Sequence, residues 1–344
     1  MIPAAAIPSH ADRSPGSPPA PVRWQQLWRE AVRDPRELLG LLGLESLAGR
    51  ISDAAALQFP MRVPRGFVAR MRHADPADPL LRQVLPLDEE MNLAPGFSLD
   101  AVGDAAARAG PGVLQKYQGR ALLVATGSCA INCRYCFRRH FPYAEETAAH
   151  DGWRETLQLI GSDTSIEEVI LSGGDPLSLA TAKLAELTAA LADVGHLKRL
   201  RIHTRLPVVL PQRVDPPLLH WLRQLPWPVA IVLHANHANE FDAHVDSALA
   251  DLRDSGAVLL NQAVLLRGVN DSVETLAELS ERGYSAGVLP YYLHQLDRIQ
   301  GASHFEVPDH VARALHASLA ARLSGYLVPR LVREVAGDTG KRAL

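Results

Sequence analysis

The cysteines are the most distinctive chemical feature of this chain. All three, Cys129, Cys133 and Cys136, fall within eight residues in a C-x3-C-x2-C arrangement. An odd number argues against a disulfide framework, whereas three thiolates on one short segment can bind a metal. A [4Fe–4S] cluster takes four cysteine ligands, so three would leave one iron open to bind a further molecule. A zinc site that adds His140, or three buried free cysteines, are the alternatives.

A second candidate site is the segment Ser172-Gly173-Gly174-Asp175, which Pro176 follows. Adjacent glycines let a backbone come close to a ligand, and a carbonyl or carboxylate can accept hydrogen bonds from an ammonium group. Alone, such a segment is also typical of an ordinary turn. The interpretation as a ligand-binding site is strengthened because the cysteine segment lies one predicted strand earlier in the chain.

The elements that would position these groups are short apolar runs rich in Val, Ile and Leu. Such runs, alternating with helical stretches, predict parallel strands that are covered by helices. Six units are too few for a closed eight-stranded barrel, so we predict an α/β fold with a partial (βα)6 TIM-like barrel. The predicted strands are Ala121–Thr126, Glu168–Ser172, Arg199–His203, Val229–His234, Ala257–Leu266 and Gly287–Tyr292.

The composition divides the chain into four parts. Residues 1–22, rich in Pro, Ser and Ala, are predicted to be a disordered tail. Residues 23–115 are predicted to form a small, mainly helical region, in which the helical pattern of Trp24–Leu47 breaks at Pro35. Residues 116–308 would form the barrel, and residues 309–344 a C-terminal helix and a final segment.

Polar segments directly follow the predicted strands. In barrels of this kind, ligands bind at the C-terminal ends of the strands, on the loops that come next. We therefore expect these segments to form one site. They are GSCAINCRYCFRR after the first strand, GGDP after the second, TR after the third, HANHANE after the fourth and HQLD after the sixth.

The overall composition excludes some classes of partner. The formal charge is −3 and there is no long basic run, so we expect neither a nucleic-acid nor a membrane surface. No apolar stretch is long enough to cross a bilayer, and the first residues do not resemble a signal peptide. The sequence therefore predicts a cytoplasmic protein.

The cysteine spacing, with Tyr135 before the last cysteine, resembles the hallmark of radical S-adenosylmethionine (SAM) enzymes. More narrowly, from about Leu85 to Lys341 the chain resembles the lysine 2,3-aminomutase family. Its shortness and its AGDTGK ending resemble the branch that supplies (R)-β-lysine for modifying elongation factor P, whereas the longer catabolic mutases carry a C-terminal extension. The shared stretches are CFRRHF, TRLPVVLPQRV, HANHANE, QAVLLRGVNDS and PYYLHQLD…GASHF.

The resemblance implies three cofactors: a [4Fe–4S] cluster on the cysteines, SAM on the glycine segment, and pyridoxal 5′-phosphate (PLP). Lys341 matches the lysine that binds PLP covalently, although the family's usual PGGGGK is AGDTGK here and gives a less flexible loop. Arg120, together with Lys116, matches basic positions that bind the PLP phosphate. Residues at later strand ends that would contact SAM or PLP are His234, Asn236 and Gln262.

The resemblance also implies an isomerase that acts on L-lysine. Arg138 matches the residue that binds the α-carboxylate, which a guanidinium can hold by two parallel hydrogen bonds. Asp297 matches one of the two acids that bind the ε-ammonium, and Glu334 stands where the second acid is an aspartate. The implied partners are an electron donor such as flavodoxin and an elongation factor P lysyl-ligase, and the chain would be a homodimer or homotetramer.

Two other interpretations stay open at this point. One is a 2,3-aminomutase for another amino acid, which the acids Asp297 and Glu334 disfavour. The other is a non-catalytic iron–sulfur or zinc-binding barrel protein, which Lys341 and the glycine segment disfavour. Chiral analysis of the product formed from L-lysine, SAM and a reductant would separate all three interpretations.

Overall fold

The computed structural model describes residues 23–144, 147–148 and 153–344, so the predicted tail at residues 1–22 lies outside the described part. One ten-stranded sheet dominates the fold. Its strands are β1 (Arg108–Gly110), β2 (Val113–Leu114), β3 (Arg120–Thr126), β4 (Glu168–Gly173), β5 (Arg199–Thr204), β6 (Val229–Leu233), β7 (Val258–Leu265), β8 (Leu289–Gln295), β9 (Arg330–Arg333) and β10 (Arg342–Ala343).

The strands follow one another in the sheet in the order of the chain. Those from β3 to β9 are parallel neighbours, whereas β1, β2 and β10 add antiparallel edges. The first and last strands do not pair with each other, so the barrel is open in the described residues. The prediction of an open α/β barrel is confirmed. The prediction did not include β9, a seventh parallel strand that pairs with β8.

Helices connect the parallel strands, as the alternating pattern predicts. β4 is buried along almost its whole length because helices cover a parallel sheet on the outside while its inner face packs in the barrel. The helices are α1 (Trp24–Arg29), α2 (Pro35–Leu42), α3 (Asp53–Gln58), α4 (Arg65–Val68), α5 (Pro79–Arg82), α6 (Arg154–Ser162), α7 (Thr181–Ala192), α8 (Leu206–Val209), α9 (Pro216–Arg223), α10 (Ala243–Asp254), α11 (Val273–Ser285) and α12 (Asp309–Arg322).

The N-terminal region contains the short helices α1 to α5, followed by an irregular segment and the strands β1 and β2. Pro35 occupies the first turn of α2, where its missing N–H is tolerated, and Asp34 caps that helix by accepting from Arg36 N at 2.8 Å. Asp78 caps α5 in the same way and is fully buried. The region packs on the barrel, since Arg70 Nη2 donates to Val208 O at 2.8 Å. None of the helices described here has the length and apolar character that a membrane span requires.

Candidate active site

A cavity of about 380 Å³ lies where the C-terminal ends of the parallel strands meet. Because these strands run in the same direction, the loops that follow them share one edge of the sheet. The cavity collects every predicted site residue except Asn236. Those that line it are Arg120, Cys129, Cys133, Cys136, Arg138, Ser172, Gly173, Gly174, Asp175, His234, Gln262, Asp297, Glu334 and Lys341.

The N-terminal region holds the cysteine loop in place. Arg134, between the second and third cysteines, is fully buried and donates from Nε and Nη2 to the two carboxylate oxygens of Glu90, at 2.7 Å each. Arg139 Nη2 donates to the same carboxylate at 2.7 Å. Arg62 Nη1 donates to Cys129 O at 2.9 Å. The loop thus rests on paired buried charges, and removing Glu90 would leave two cations uncompensated.

The three cysteines are free, half-buried thiols that face the same cavity. Burial and the neighbouring Cys133 raise the pKa of Cys136 to about 11, and burial raises the pKa of Cys129 well above its usual value. These two thiols would therefore lose their protons when a cation binds. Arg205 Nη1 donates to Cys133 Sγ at 2.7 Å.

The donor set fits a three-cysteine cluster in number and kind. In the described part of the chain, no three Cys, His, Asp or Glu side chains already stand in a metal-binding arrangement. The thiols are nevertheless close enough for Cys133 and Cys136 to shift the pKa of Cys129. A cysteine turns about a single side-chain bond, so rotation of these side chains can change the distances between the three sulfurs.

The glycine segment packs tightly against the cysteine loop. Gly173 has a φ of +118°, and a Cβ there would lie 2.5 Å from Thr126 O. A Cβ on Gly174 would lie 2.5 Å from Ser128 O. Both positions therefore exclude any side chain, and the backbone that approaches them is that of Thr126 and Ser128.

Asp175 serves the architecture of the loop. Its carboxylate accepts from Thr204 Oγ1 at 2.7 Å and from the backbone N–H groups of Leu177, Arg205 and Leu206 at 3.1, 2.7 and 3.1 Å. Burial raises its pKa to about 6 despite these donors. With both oxygens engaged, the carboxylate ties the glycine segment to the end of β5.

The three residues predicted at later strand ends have different surroundings. His234 faces the cavity with Nε2 2.8 Å from Tyr135 Oη, and burial lowers its pKa to about 3, so the ring is neutral. Gln262 also faces the cavity. Asn236 is fully buried behind it and donates to Gln83 Oε1 and Tyr135 Oη at 3.0 and 2.7 Å. Asn236 therefore supports His234 and is not placed to contact a ligand.

Lys341 and Glu334 form an ion pair inside the cavity, with Nζ 2.5 Å from Oε2. Lys116 Nζ lies 3.4 Å from the other oxygen of Glu334 and donates to Val102 O at 2.9 Å. Burial alone would raise the pKa of Glu334, but Lys341, Lys116 and Tyr117 outweigh it and lower that pKa to about 2. Glu334 is therefore an anion that already has two cations.

Two charged groups in the cavity have no such partner. Within the described residues, neither the guanidinium of Arg120 nor the carboxyl group of Asp297 makes a side-chain hydrogen bond or ion pair, and Nε of Arg120 is buried. Burial raises the pKa of Asp297 to about 7, because nearby Lys341 offsets only part of that effect. Buried polar groups are almost always paired, so the unpaired Nε of Arg120 points to a bound anion, and the half-buried carboxyl group of Asp297 is free to accept from a bound cation.

The same residues fit PLP by their chemistry. The unpaired Arg120 can take a phosphate, Lys341 offers a primary amine, and the Tyr292 ring, whose centroid lies 5.7 Å from Lys341 Nζ, provides an aromatic wall. Lys116 fits a phosphate less well than the sequence predicts. An ammonium has three donors, and Val102 O, Asp104 and Glu334 already surround this one.

Comparison with known proteins identifies the family of the chain. The chain is 47% identical to the L-lysine 2,3-aminomutase of Escherichia coli (strain K12) over 325 residues, which cover 93% of this chain and 94% of that protein. It is 45% identical to the enzyme of the same name from Haemophilus influenzae, over 92% of this chain and 94% of that protein. The chain belongs to the lysine 2,3-aminomutase family. The family resemblance predicted from the motifs is thus confirmed.

The other comparisons give weaker matches. The Clostridium subterminale member of the family is 35% identical, and the match covers 78% of this chain but 64% of that longer protein. No protein-family model matches the chain. A radical SAM methyltransferase from Sphaerobacter thermophilus superposes with a TM-score of 0.43 at 17% identity, over 64% of this chain and 68% of that one. This likeness is too distant to support a conclusion.

Two further polar residues contact the predicted site residues. Arg205, which contacts Cys133, belongs to the TR segment that the sequence predicts at the site after the third strand, although no role was assigned to it. Asp104, 3% exposed, contacts both Arg138 and Lys116 from the N-terminal region. It lies in an irregular segment with no motif and no periodicity, so only the three-dimensional arrangement reveals it.

Proposed function

We propose that this chain is a radical SAM, PLP-dependent L-lysine 2,3-aminomutase that converts L-lysine to (R)-β-lysine. One observation carries the proposal. A single cavity gathers three free cysteines, an unpaired arginine, a lysine amine and an unpaired carboxyl group in a chain that belongs to this family. Each of these groups has a use in moving an amino group from C2 to C3 of lysine.

Three parts of the cavity would hold the cofactors. The cysteines would bind the cluster, the carbonyls of Ser172 to Gly174 the SAM amino group, and Arg120 with Lys341 the phosphate and aldehyde of PLP. When bound, the cluster and SAM supply a carbon radical that removes hydrogen from C3, and PLP supplies a π-system across which the amino group moves. The protein holds C3 next to the radical and excludes water.

The charged residues would set the position of the substrate. Arg138 would bind the α-carboxylate, and the unpaired Asp297 the ε-ammonium, so the two ends of the lysine fix the place of C3 between them. An ammonium entering a partly dry cavity loses hydration and needs a paired charge there. Glu334 already contacts Lys341 at 2.5 Å, so it would reach the ε-ammonium only after that ion pair has changed.

A single reaction tests the proposal. The anaerobically reconstituted protein is incubated with SAM, a reductant and L-lysine, and the product is resolved by chiral chromatography. We expect (R)-β-lysine together with catalytic use of SAM. If lysine gives no product but another amino acid gives a β-amino acid, the chain is an aminomutase for that other substrate. No SAM cleavage at all would contradict a radical enzyme.

The activity should depend on pH through Asp297. Burial raises the pKa of its carboxyl group to about 7, and only the ionised form attracts the ε-ammonium. Below that pH the protonated fraction grows, so kcat/KM for lysine should fall by about tenfold per pH unit as the pH decreases. A kcat/KM profile from pH 5.5 to 8.5 measures this. Asp297→Asn should lack the acidic limb, and a variant that keeps it would assign the titration to another group.

Removing the charge of Asp297 should weaken the use of lysine selectively. Asp297→Asn keeps the shape of the side chain and should cost on the order of 2–5 kcal/mol in kcat/KM for lysine, the range for breaking a desolvated charge pair. Norleucine, which has no ε-ammonium, is the control substrate, and its slow turnover should not change. If Asp297→Asn turns over lysine as well as the parent does, the ammonium is bound elsewhere.

The biological role follows from the same proposal. The match to the E. coli enzyme over nearly the full length of both proteins supports the short, elongation factor P branch. We accordingly place the enzyme in the cytoplasm, with an electron donor such as flavodoxin and with a lysyl-ligase that uses the product. Elongation factor P isolated from cells that carry Lys341→Ala in place of the parent should lack the β-lysyl group.

A further inference from the structure

Asp104 is a buried acid that stands directly behind the cavity. Its side chain is 3% exposed, and it contacts two cations of the site. Oδ2 accepts from Arg138 Nε at 2.7 Å. Oδ1 lies 2.7 Å from Lys116 Nζ, in an ion pair rather than a well-aligned hydrogen bond. Each oxygen of the carboxylate thus serves one cation.

The contact with Arg138 determines which of its donors stay available. Asp104 Oδ2 accepts from Nε of Arg138, and Ser172 Oγ accepts from Nη1 of the same guanidinium at 3.2 Å. The remaining N–H groups are on Nη1 and Nη2, the pair of atoms that can hold a carboxylate by two parallel hydrogen bonds. Arg138 is 5% exposed and lines the cavity, so its orientation decides whether that pair faces a ligand.

The contact with Lys116 reaches the other acid of the site. Lys116 Nζ lies between Asp104 Oδ1 at 2.7 Å and Glu334 Oε1 at 3.4 Å. Glu334 in turn contacts Lys341 at 2.5 Å. Charges therefore alternate in sign from Arg138 to Lys341, and Asp104 is the acid that links the first two cations.

The loop that carries Asp104 is held firmly. Asp100 accepts from the backbone N–H groups of Asp104 and Ala105 at 2.9 and 3.0 Å. Gly103 has a φ of +69°, and a Cβ there would lie 2.8 Å from the Ala336 Cβ, so this loop packs against the C-terminal segment. A fixed backbone is what a residue needs in order to orient other side chains.

We propose that Asp104 is a positioning residue that aligns Arg138 for the α-carboxylate of the substrate and holds Lys116 against Glu334. The inference rests on the proposed function, because it takes lysine as the ligand. The N-terminal region is then part of substrate recognition as well as a support for the cysteine loop. Asp104 acts through Arg138 and does not itself contact the substrate.

The test compares two ligands that differ only in the carboxylate. Calorimetry on the cofactor-loaded protein, without reductant, gives Kd values for L-lysine and for cadaverine, which keeps both amines and lacks the carboxylate. The parent should bind lysine more tightly. In Asp104→Asn the amide cannot accept from both cations, so Kd for lysine should rise about 10- to 100-fold, the scale of a charge-assisted hydrogen bond. Kd for cadaverine should stay within about twofold.

Asp246→Asn is the matched control, since Asp246 pairs with Arg282 at 2.7 Å on the outer helices, and it should change neither Kd. Asp104→Glu is measured as a second test in case Asp104→Asn does not fold. It keeps the buried charge but moves the carboxylate, so it should show the same selective loss of lysine binding. Equal weakening of both ligands, or unchanged lysine binding, would overturn the proposal. A parent that binds neither ligand would instead contradict the proposed function.

Discussion

Replacing any one of Cys129, Cys133 or Cys136 by Ala is expected to abolish SAM cleavage and leave the barrel folded. Two thiolates cannot retain a [4Fe–4S] cluster that already lacks its fourth cysteine, so the electron that cleaves SAM has no donor. The cysteines are half-buried loop residues outside the strands, and Ala is only slightly smaller. The loss should therefore concern chemistry and not folding.

Three measurements check this expectation: iron content, 5′-deoxyadenosine formation and the melting temperature. The parent should hold about four iron atoms per chain. Ser128→Ala is the matched control, because that exposed residue lies in the same loop and only its backbone makes the contacts with Asp175 and Ser178. A cysteine variant that still cleaves SAM would overturn the cluster assignment. Stoichiometric zinc in the parent would favour the tetrahedral site that includes His140.

The sequence predicted the parallel strands because most are short runs rich in Val, Ile and Leu. β4, β5 and β6 begin at the predicted residues, Glu168, Arg199 and Val229. β9 escaped prediction for the opposite reason. Its four residues begin and end with arginine, and only the two in the middle are buried. A strand so short is defined by its pairing with β8, which local sequence cannot reveal.

The site was predictable to the extent that its residues follow strands. Gly173 ends β4, His234 directly follows β6 and Cys129 lies three residues after β3. Parallel strands bring such positions together whatever the details of the loops. No comparable rule predicts from the sequence which residues of another region form ion pairs with the site. Asp104 reaches the site from the N-terminal region, and its contact with Arg138 depends on how that region docks on the barrel.

The geometry also explains part of the unusual C-terminal segment. Glu334 stands where the family resemblance implies an aspartate, and its longer side chain contacts Lys341 Nζ at 2.5 Å. That contact occupies the Glu334 carboxylate, whereas the Asp297 carboxyl group has no hydrogen-bond or ion-pair partner among the described residues. The sequence did not suggest this difference between the two acids.

Replacing Lys341 by Ala is expected to stop β-lysine formation and to preserve slow SAM cleavage. Lys341 is one of two lysines that line the cavity, and the other, Lys116, is surrounded by acceptors. The Lys341 amine is therefore the nucleophile available to bind PLP covalently. The cysteines and the glycine segment do not contact it, so the cluster should still form. The rate of product formation should fall by at least about 10³-fold, as for other essential nucleophiles.

Borohydride reduction followed by peptide mapping identifies the lysine that binds PLP. In the parent, the label should fall on Lys341, and in Lys341→Ala the absorbance of lysine-bound PLP should disappear. Lys183→Ala is the matched control, because Lys183 is exposed on α7 and pairs only with Glu186. Since Lys341→Ala also removes the partner of Glu334, the melting temperature is measured to exclude unfolding. A label on Lys116 would show that the ion pairs seen here rearrange when PLP binds, and the assignment of Lys341 would be wrong.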